Sequence, residues 1–230
     1  LLKMKFLHII ILFQFLFSVN QLKIGTIYTA DGHVQIISSD KDIGASKAIV
    51  GKSIHSNDIV RTTSNSRCKI IYDDRKTMLI IDSSSEVKLS DTKKSRSIHV
   101  NHGSLYLRNV SKNIKKAMIF TESSQIKLNS SQTWINSIIG GGDEIYVLSG
   151  SVEVFNYTSN KKSKVEKENV LYSYKDGFFE NIAFDSNDIP DYVNDKLLLS
   201  FNQKVNPYLF NTKNIDYRPH DLIPLFGIGK

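Results

Sequence analysis

Apolar and polar residues alternate in short blocks over most of the chain, with turn signals roughly every eight to ten residues, the spacing of a protein built from short strands. The pattern is densest in residues 51–89. Gly51-Lys52-Ser53-Ile54 opens it, and after the polar turn Ser56-Asn57-Asp58 comes the β-branched run Ile59-Val60-Arg61-Thr62-Thr63. Ser64-Asn65-Ser66 breaks that run. In residues 67–72 Cys68, Ile70 and Tyr72 fall on one face and Arg67 and Lys69 on the other. Asp73-Asp74 turns the chain into residues 77–81. Beyond Asp82-Ser83-Ser84-Ser85, Val87 and Leu89 oppose Glu86 and Lys88.

The same reading extends outwards. Residues 24–37 predict two strands joined as a hairpin at Asp31-Gly32. Residues 38–49 read as a polar loop and 91–97 as a charged loop. Residues 98–108 predict a strand, a bend at Gly103 and a second strand with Leu105 and Leu107 on one face. A basic loop, Lys112 to Lys116, precedes the strands 117–121 and 126–128, and Trp134 belongs to the core or its rim. Gly140-Gly141-Gly142-Asp143 reads as a turn, residues 145–155 as a hairpin about Ser149-Gly150, and residues 161–167 as a charged hairpin tip. Residues 170–174 with Phe178-Phe179 close the β region.

The remainder differs. Asp185-Ser186-Asn187-Asp188 supplies helix-capping chemistry, Pro190 suits a first turn, and Ile189, Tyr192, Val193, Leu197 and Leu198 supply an apolar face as far as about Gln203. With Pro207, Pro219 and Pro224 the rest reads as an extended strap. The expected fold is therefore all-β, a jelly-roll-like sandwich or a β-solenoid-like stack of short strands, with a short helical and extended C-terminal tail. The expected divisions are a signal peptide (1–18), a β domain (19–184) and the tail (185–230).

The signal peptide rests on Lys3-Met4-Lys5 followed by the apolar residues 6–17. That run is shorter than the roughly twenty residues of a membrane span, and it contains His8 and Gln14. Export with cleavage after Ser18 is expected, with Met4 as the true start and no stable membrane span. The localisation is then periplasmic or secreted. Cys68 is the single cysteine of 230 residues, which excludes an intramolecular disulfide and a thiolate metal cluster. On an inward strand face it reads as a small buried hydrophobe. The formal charge is +7, or about +5 without Lys3 and Lys5, a modest excess that does not single out nucleic acid.

Catalytic constellations are absent from the pattern. His33, His55, His99, His102 and His220 are scattered, and His99 and His102, three apart on a strand, point to opposite sides. Asp73-Asp74 and Asp143-Glu144 read as turn carboxylates, because Asp caps local backbone there. Gly140-Gly141-Gly142 lacks the lysine and helix of a phosphate loop. No cofactor is expected. Aromatics are the better lead: Tyr106 and Tyr146 fall opposite the aliphatic face, as an exposed platform for sugar rings or a partner, or as part of a sheet buried on both sides.

On these residues the chain resembles the FecR-type domain, the periplasmic domain of bacterial iron-dicitrate sensor proteins. The resemblance covers residues 24–174. Its centre is Asn57-Asp58-Ile59-Val60-Arg61-Thr62, similar to the family's Gly-Asp-x-x-x-Thr. Gly103-Ser104-Leu105-Tyr106 and Leu148-Ser149-Gly150-Ser151-Val152-Glu153-Val154 resemble its later steps. Ser131-Gln132-Thr133-Trp134 departs from the family's Gly-Thr-x-Phe. The resemblance implies binding rather than catalysis, in a free-standing exported domain that docks on another cell-envelope protein in signalling or assembly. The alternative is a carbohydrate or cell-wall binding domain.

Charge placement suggests where. Residues 92–121 contain no acid, and the candidate surface comprises Lys93, Lys94, Arg96, Tyr106, Arg108, Lys112, Lys115, Lys116 and Tyr146. An envelope protein or an anionic polysaccharide would fit it. A competing expectation is that the acidic stretch Glu180, Asp185, Asp188, Asp191 and Asp195 lies over these bases and holds the tail.

Overall fold

In the computed structural model the described residues are 21–40, 42–109 and 116–194. The leader, Lys112, Lys115, Asp195, Leu197, Leu198 and the proline-bearing strap lie outside them. Fifteen strands form among the described residues: β1 (Lys23–Asp31), β2 (Val34–Ile37), β3 (Ala45–Lys47), β4 (Ser53–His55), β5 (Ile59–Thr62), β6 (Arg67–Tyr72), β7 (Thr77–Ile81), β8 (Glu86–Asp91), β9 (Ser95–Asn109), β10 (Lys116–Phe120), β11 (Ser124–Ile138), β12 (Gly142–Asn156), β13 (Lys162–Glu166), β14 (Asn169–Tyr174) and β15 (Phe179–Ala183). The all-β expectation holds.

Three strands of fifteen residues organise the rest. Residues 95–102 of β9 pair with β8 and β10, whereas residues 103–109 pair with β7 and β11. β11 and β12 divide in the same way, so each long strand belongs to two layers. One layer runs β3-β2-β5-β8-β9-β10-β11-β12-β13. The other runs β4-β1-β6-β7-β9-β11-β12-β14-β15. This is the sandwich alternative, with strands shared across a corner.

The bends need a backbone that turns left-handed. Gly103 and Gly150 make them in β9 and β12, at φ +92 and +75. Each bend also shifts the inward parity. In β9 the side chains in the common core are Ile98 and Val100 before the bend and Leu105 and Leu107 after it; in β12 they are Ile145 and Val147, then Val152 and Val154. Bending breaks ladder bonds, and hydroxyls take them over. Thr62 Oγ1 accepts the Ser85 N–H at 3.0 Å, Ser85 Oγ accepts the Ser104 N–H at 2.9 Å, and Ser66 Oγ accepts the His33 N–H at 2.9 Å.

Both layers contribute to a single core, in which Ile70, Leu79, Leu89, Ile98, Leu107, Ile126, Ile145, Val154 and Leu171 are fully buried. Each such side chain contributes about 1.5–3 kcal/mol by leaving water. Cys68 is buried among them, and burial pushes its thiol up to about 12, with Asp31 adding to the shift. Arg67 and Lys69 face away, as alternation predicts.

Several local expectations are corrected. β1 and β2 do not pair: Asp31-Gly32 carries the chain between layers. Residues 145–155 are part of one bent strand rather than a hairpin, because its halves pair with β11 and not with each other. The charged tip 161–167 is an edge strand, β13, on β12. The polar loop 38–49 contains β3, which pairs with β2. Of the charged loop 91–97, Asp91 and Arg96 are buried strand residues.

The chain divides after Ile189. On the first side the capping chemistry closes as expected: Asp185 accepts the Asn187 N–H at 3.0 Å and Asp188 accepts the Asp185 N–H at 2.9 Å, around a 3-10 turn at Ser186–Asp188. On the second side, a single helical turn spans Asp191–Asn194. Among the described residues no helix is long and apolar enough to cross a membrane.

Candidate interaction surface

Two polar clusters sit inside the sandwich where hairpin turns of the two layers meet. In the first, Arg96 binds Asp91 through Nε (3.1 Å) and Nη2 (3.0 Å) and Asp74 through Nη1 (2.9 Å), with its guanidinium 3.6 Å from the Tyr72 ring centre. Asp74 also caps its own turn, accepting from the Lys76 and Thr77 backbone. Burial works against its ionisation, but Arg96 and these hydrogen bonds hold its carboxyl below the ordinary range. The second cluster is Asp143, Thr121, Ser124, Ser173 and Asn156. Asp143 accepts from Thr121 Oγ1 at 2.5 Å, Ser124 Oγ donates to Ser173 Oγ at 2.8 Å, and Asn156 Nδ2 donates to Ser173 Oγ at 2.9 Å. Burial pushes the Asp143 carboxyl up. Expected in a turn, Asp143 is instead a buried strand residue.

Both clusters are buried and their bonds close on the protein itself, although Tyr72 Oη and Asp143 Oδ1 are buried without a hydrogen-bond partner among the described residues. The candidate surface read from the sequence is likewise divided. Lys93, Lys94 and Lys116 are exposed, but Arg96 is in the ion cluster and Arg108 is buried. Tyr106 is 0% exposed and donates to Gln132 Oε1, and Tyr146 is 6% exposed. Burial pushes the Tyr106 hydroxyl up to about 12. The two tyrosines do lie opposite the core, but that face is buried, so they are not an exposed platform. Together these placements break up the basic-aromatic surface read from the sequence.

The outer face of the second layer explains the tyrosines. Pairing registers align Ile80, Tyr106, Trp134, Tyr146, Val170 and Ile182 in one row across six strands. Tyr146 contacts Trp134 at 5.0 Å and Phe184 at 5.2 Å between ring centres. The neighbouring row runs Ser104, Asn136, Glu144, Tyr172 and Glu180. Burial raises the Tyr146 hydroxyl, and a hydrogen bond to Tyr172 and the charges of Glu144 and Asp188 raise it further.

The first row ends at Ile182, which is 41% exposed on β15, the last strand of its layer. Turns of the same region carry further exposed apolar groups. Ile138 and Ile139 precede Gly140, and Phe178 packs on Tyr174 at 5.5 Å. Ile138, Gly140, Gly141, Gly142, Tyr174 and Asp176 line a shallow cleft of about 310 Å³. An apolar, turn-rich end beside a free strand edge suits a partner better than a small-molecule reaction. The sequence reading overlooked it; the run of acids from Asp176 to Asp188 without a basic residue was its one visible signal.

Residues 58–166 match the family model for FecR protein. Over these residues the chain is similar to the FecR family. The match begins at Asp58, just before β5, and ends with β13, inside the span expected from sequence. The Arg96 cluster therefore lies within the matched segment, whereas β14 and β15 lie beyond it. In fold, the chain is similar to two crystal structures described as a putative anti-sigma factor from Parabacteroides distasonis, each at TM-score 0.50 and 11% identity. Each alignment covers 56% of this chain and 61% of the other, so the chain spans about three-fifths of the length of these neighbours. The comparison with curated proteins gives no match.

Proposed function

We propose that the chain is a non-enzymatic signalling module, exported to the cell envelope, that acts by binding another envelope protein. The observation that carries this reading is the exposed apolar turns at one end of the second layer, Ile138, Ile139 and Phe178, next to the edge strand β15, on a domain whose polar clusters are closed inwards. Ile139 is 73% exposed and adjoins Ile138, itself 48% exposed, so the turn projects neighbouring apolar side chains, as interaction sites do. The similarity to the FecR family and the likeness to a protein described as a putative anti-sigma factor support a regulatory role. The leader pattern supports export. The test is a photoreactive amino acid at Ile139 in producing cells, with one at Gln125 on the other layer as control. A discrete adduct with one envelope protein from Ile139 alone supports the reading, and recovery of the protein from the cytoplasm without an adduct overturns it.

A second reading has its own observation. On the outer face of the first layer His99 stacks on Phe120 at 4.9 Å, in register with Lys88, Gln125, Phe155 and Lys162. Half-exposed rings among lysines suit an anionic polysaccharide. Retention of the purified protein on an acidic glycan, abolished at high salt, would favour it.

A further inference from the structure

The sandwich leaves four strand edges unpaired among the described residues, and three are guarded. β3 and β4 are three residues long, and β13 carries Lys162, Lys164 and Glu166, the charged side chains that discourage strand addition. β15 is the least guarded: it is longer than β3 and β4, and Glu180 is its one charge. Its sequence Phe-Glu-Asn-Ile-Ala contains no lysine or proline, it is paired only to β14, and Glu180, Asn181, Ile182 and Ala183 are all exposed.

We propose that the free edge of β15 accepts an extended cationic segment of a partner protein as an added strand. This rests on the reading of the chain as a protein-binding module and names the surface and the chemistry of its partner. Main-chain groups of β15 supply the hydrogen bonds of the added strand. Specificity comes from the two rows that end there. A side chain opposite Ile182 prolongs the row Tyr106, Trp134, Tyr146, Val170 and is apolar. A side chain opposite Glu180, two residues away on the same face, prolongs the row Asn136, Glu144, Tyr172 and is basic. Charge beside the edge points the same way. Residues 176–188 contain Asp176, Glu180, Asp185 and Asp188 and no basic residue, in a chain of net positive charge. A second copy would bring the same acids to the contact, which disfavours pairing of β15 with itself.

The test uses the full chain and a capped peptide, Thr-Lys-Thr-Val-Thr-Lys-Thr, which places Lys opposite Glu180 in either strand direction when Val faces Ile182. A control peptide carries Glu in place of Lys. The expected result is saturable amide protection confined to residues 179–183, weakened about tenfold with the control peptide or by I182K. Ile182 is half exposed, so the variant keeps its fold, and an unchanged melting temperature verifies that. Equal binding of both peptides, no protection at 179–183, or a dimer of the chain that I182K disrupts would each overturn the proposal. If Ile139 still gives its envelope adduct while the peptide fails, strand addition is wrong and the broader reading stands.

Discussion

The guanidinium of Arg96 lies over the ring of Tyr72, 3.6 Å from its centre, while two of its nitrogens hold the buried carboxylate of Asp91. Arg96 and Asp91 come from the first layer and Tyr72 and Asp74 from the second, so the cluster clasps the layers where no strand crosses. Removing one partner strands a charge in low dielectric. Asp91→Asn should cost about 3–5 kcal/mol in urea unfolding, and the triple change Arg96→Met, Asp91→Leu and Asp74→Asn, which leaves no charge of the cluster unpaired, should regain most of it. A loss under about 1 kcal/mol, the range of an exposed pair, would contradict the clasp.

Asp143 makes stability depend on pH in the opposite sense to most carboxylates. Burial raises its folded value above the unfolded one, so folding takes up a proton. Its contribution is fully present below the ordinary carboxylate value and is lost as pH rises through the raised one. Unfolding of the wild type and Asp143→Asn, compared from pH 7 down to about pH 4, should therefore show the wild type gaining on the variant as pH falls. Asp74, depressed and of opposite sign, is common to both proteins and cancels. A constant difference would mean that Asp143 titrates normally.

Alternation was informative wherever one face of a strand meets the core, as in β6, where Cys68, Ile70 and Tyr72 turn inwards. It was silent on what lies beyond the opposite face. Tyr106 and Tyr146 were assigned the correct side, yet whether that side is open depends on packing that no local pattern encodes. Ser149-Gly150 misled for a related reason. A left-handed glycine serves a hairpin turn and an interlayer bend equally, and only the contact with Ser130 on β11 separates them. Asp91 and Arg96 read as solvated because charge runs usually are; their burial depends on Tyr72 and Asp74, far back in the chain. The two polar clusters and the free edge of β15 are properties of assembly, which explains why the surface was sought among the lysines.

The assignment of faces in β6 can be checked directly. Ile70 is fully buried, while Lys69 next to it lies over the Tyr28 ring at 5.6 Å on the other side. Ile70→Asp puts an unpaired charge in the core and should abolish the cooperative thermal transition. Lys69→Asp should lower stability by no more than about 1 kcal/mol. Equal losses in circular dichroism melts would reverse the facing.

The bend at Gly103 should be far less tolerant of a side chain than the loop at Gly44. Its φ of +92 lies where a side chain is strained, and a Cβ there would sit 2.1 Å from Ser85 Oγ and 2.6 Å from Ser85 Cα. Gly44 is the natural comparison, because its φ is also positive, at +64, but a Cβ there meets nothing within 4 Å. Gly44→Ala should cost about 1 kcal/mol from the left-handed backbone alone, and Gly103→Ala more than about 3 kcal/mol from strain and overpacking together. Ser85→Ala in the Gly103→Ala background tests which atoms matter. It removes the closest contact but leaves the Cα clash and deprives the Ser104 N–H of its acceptor, so rescue should be absent. Full rescue in urea titrations would show that β9 can move away from Ser85, and that the corner is held by side chains rather than by the close approach of two backbones.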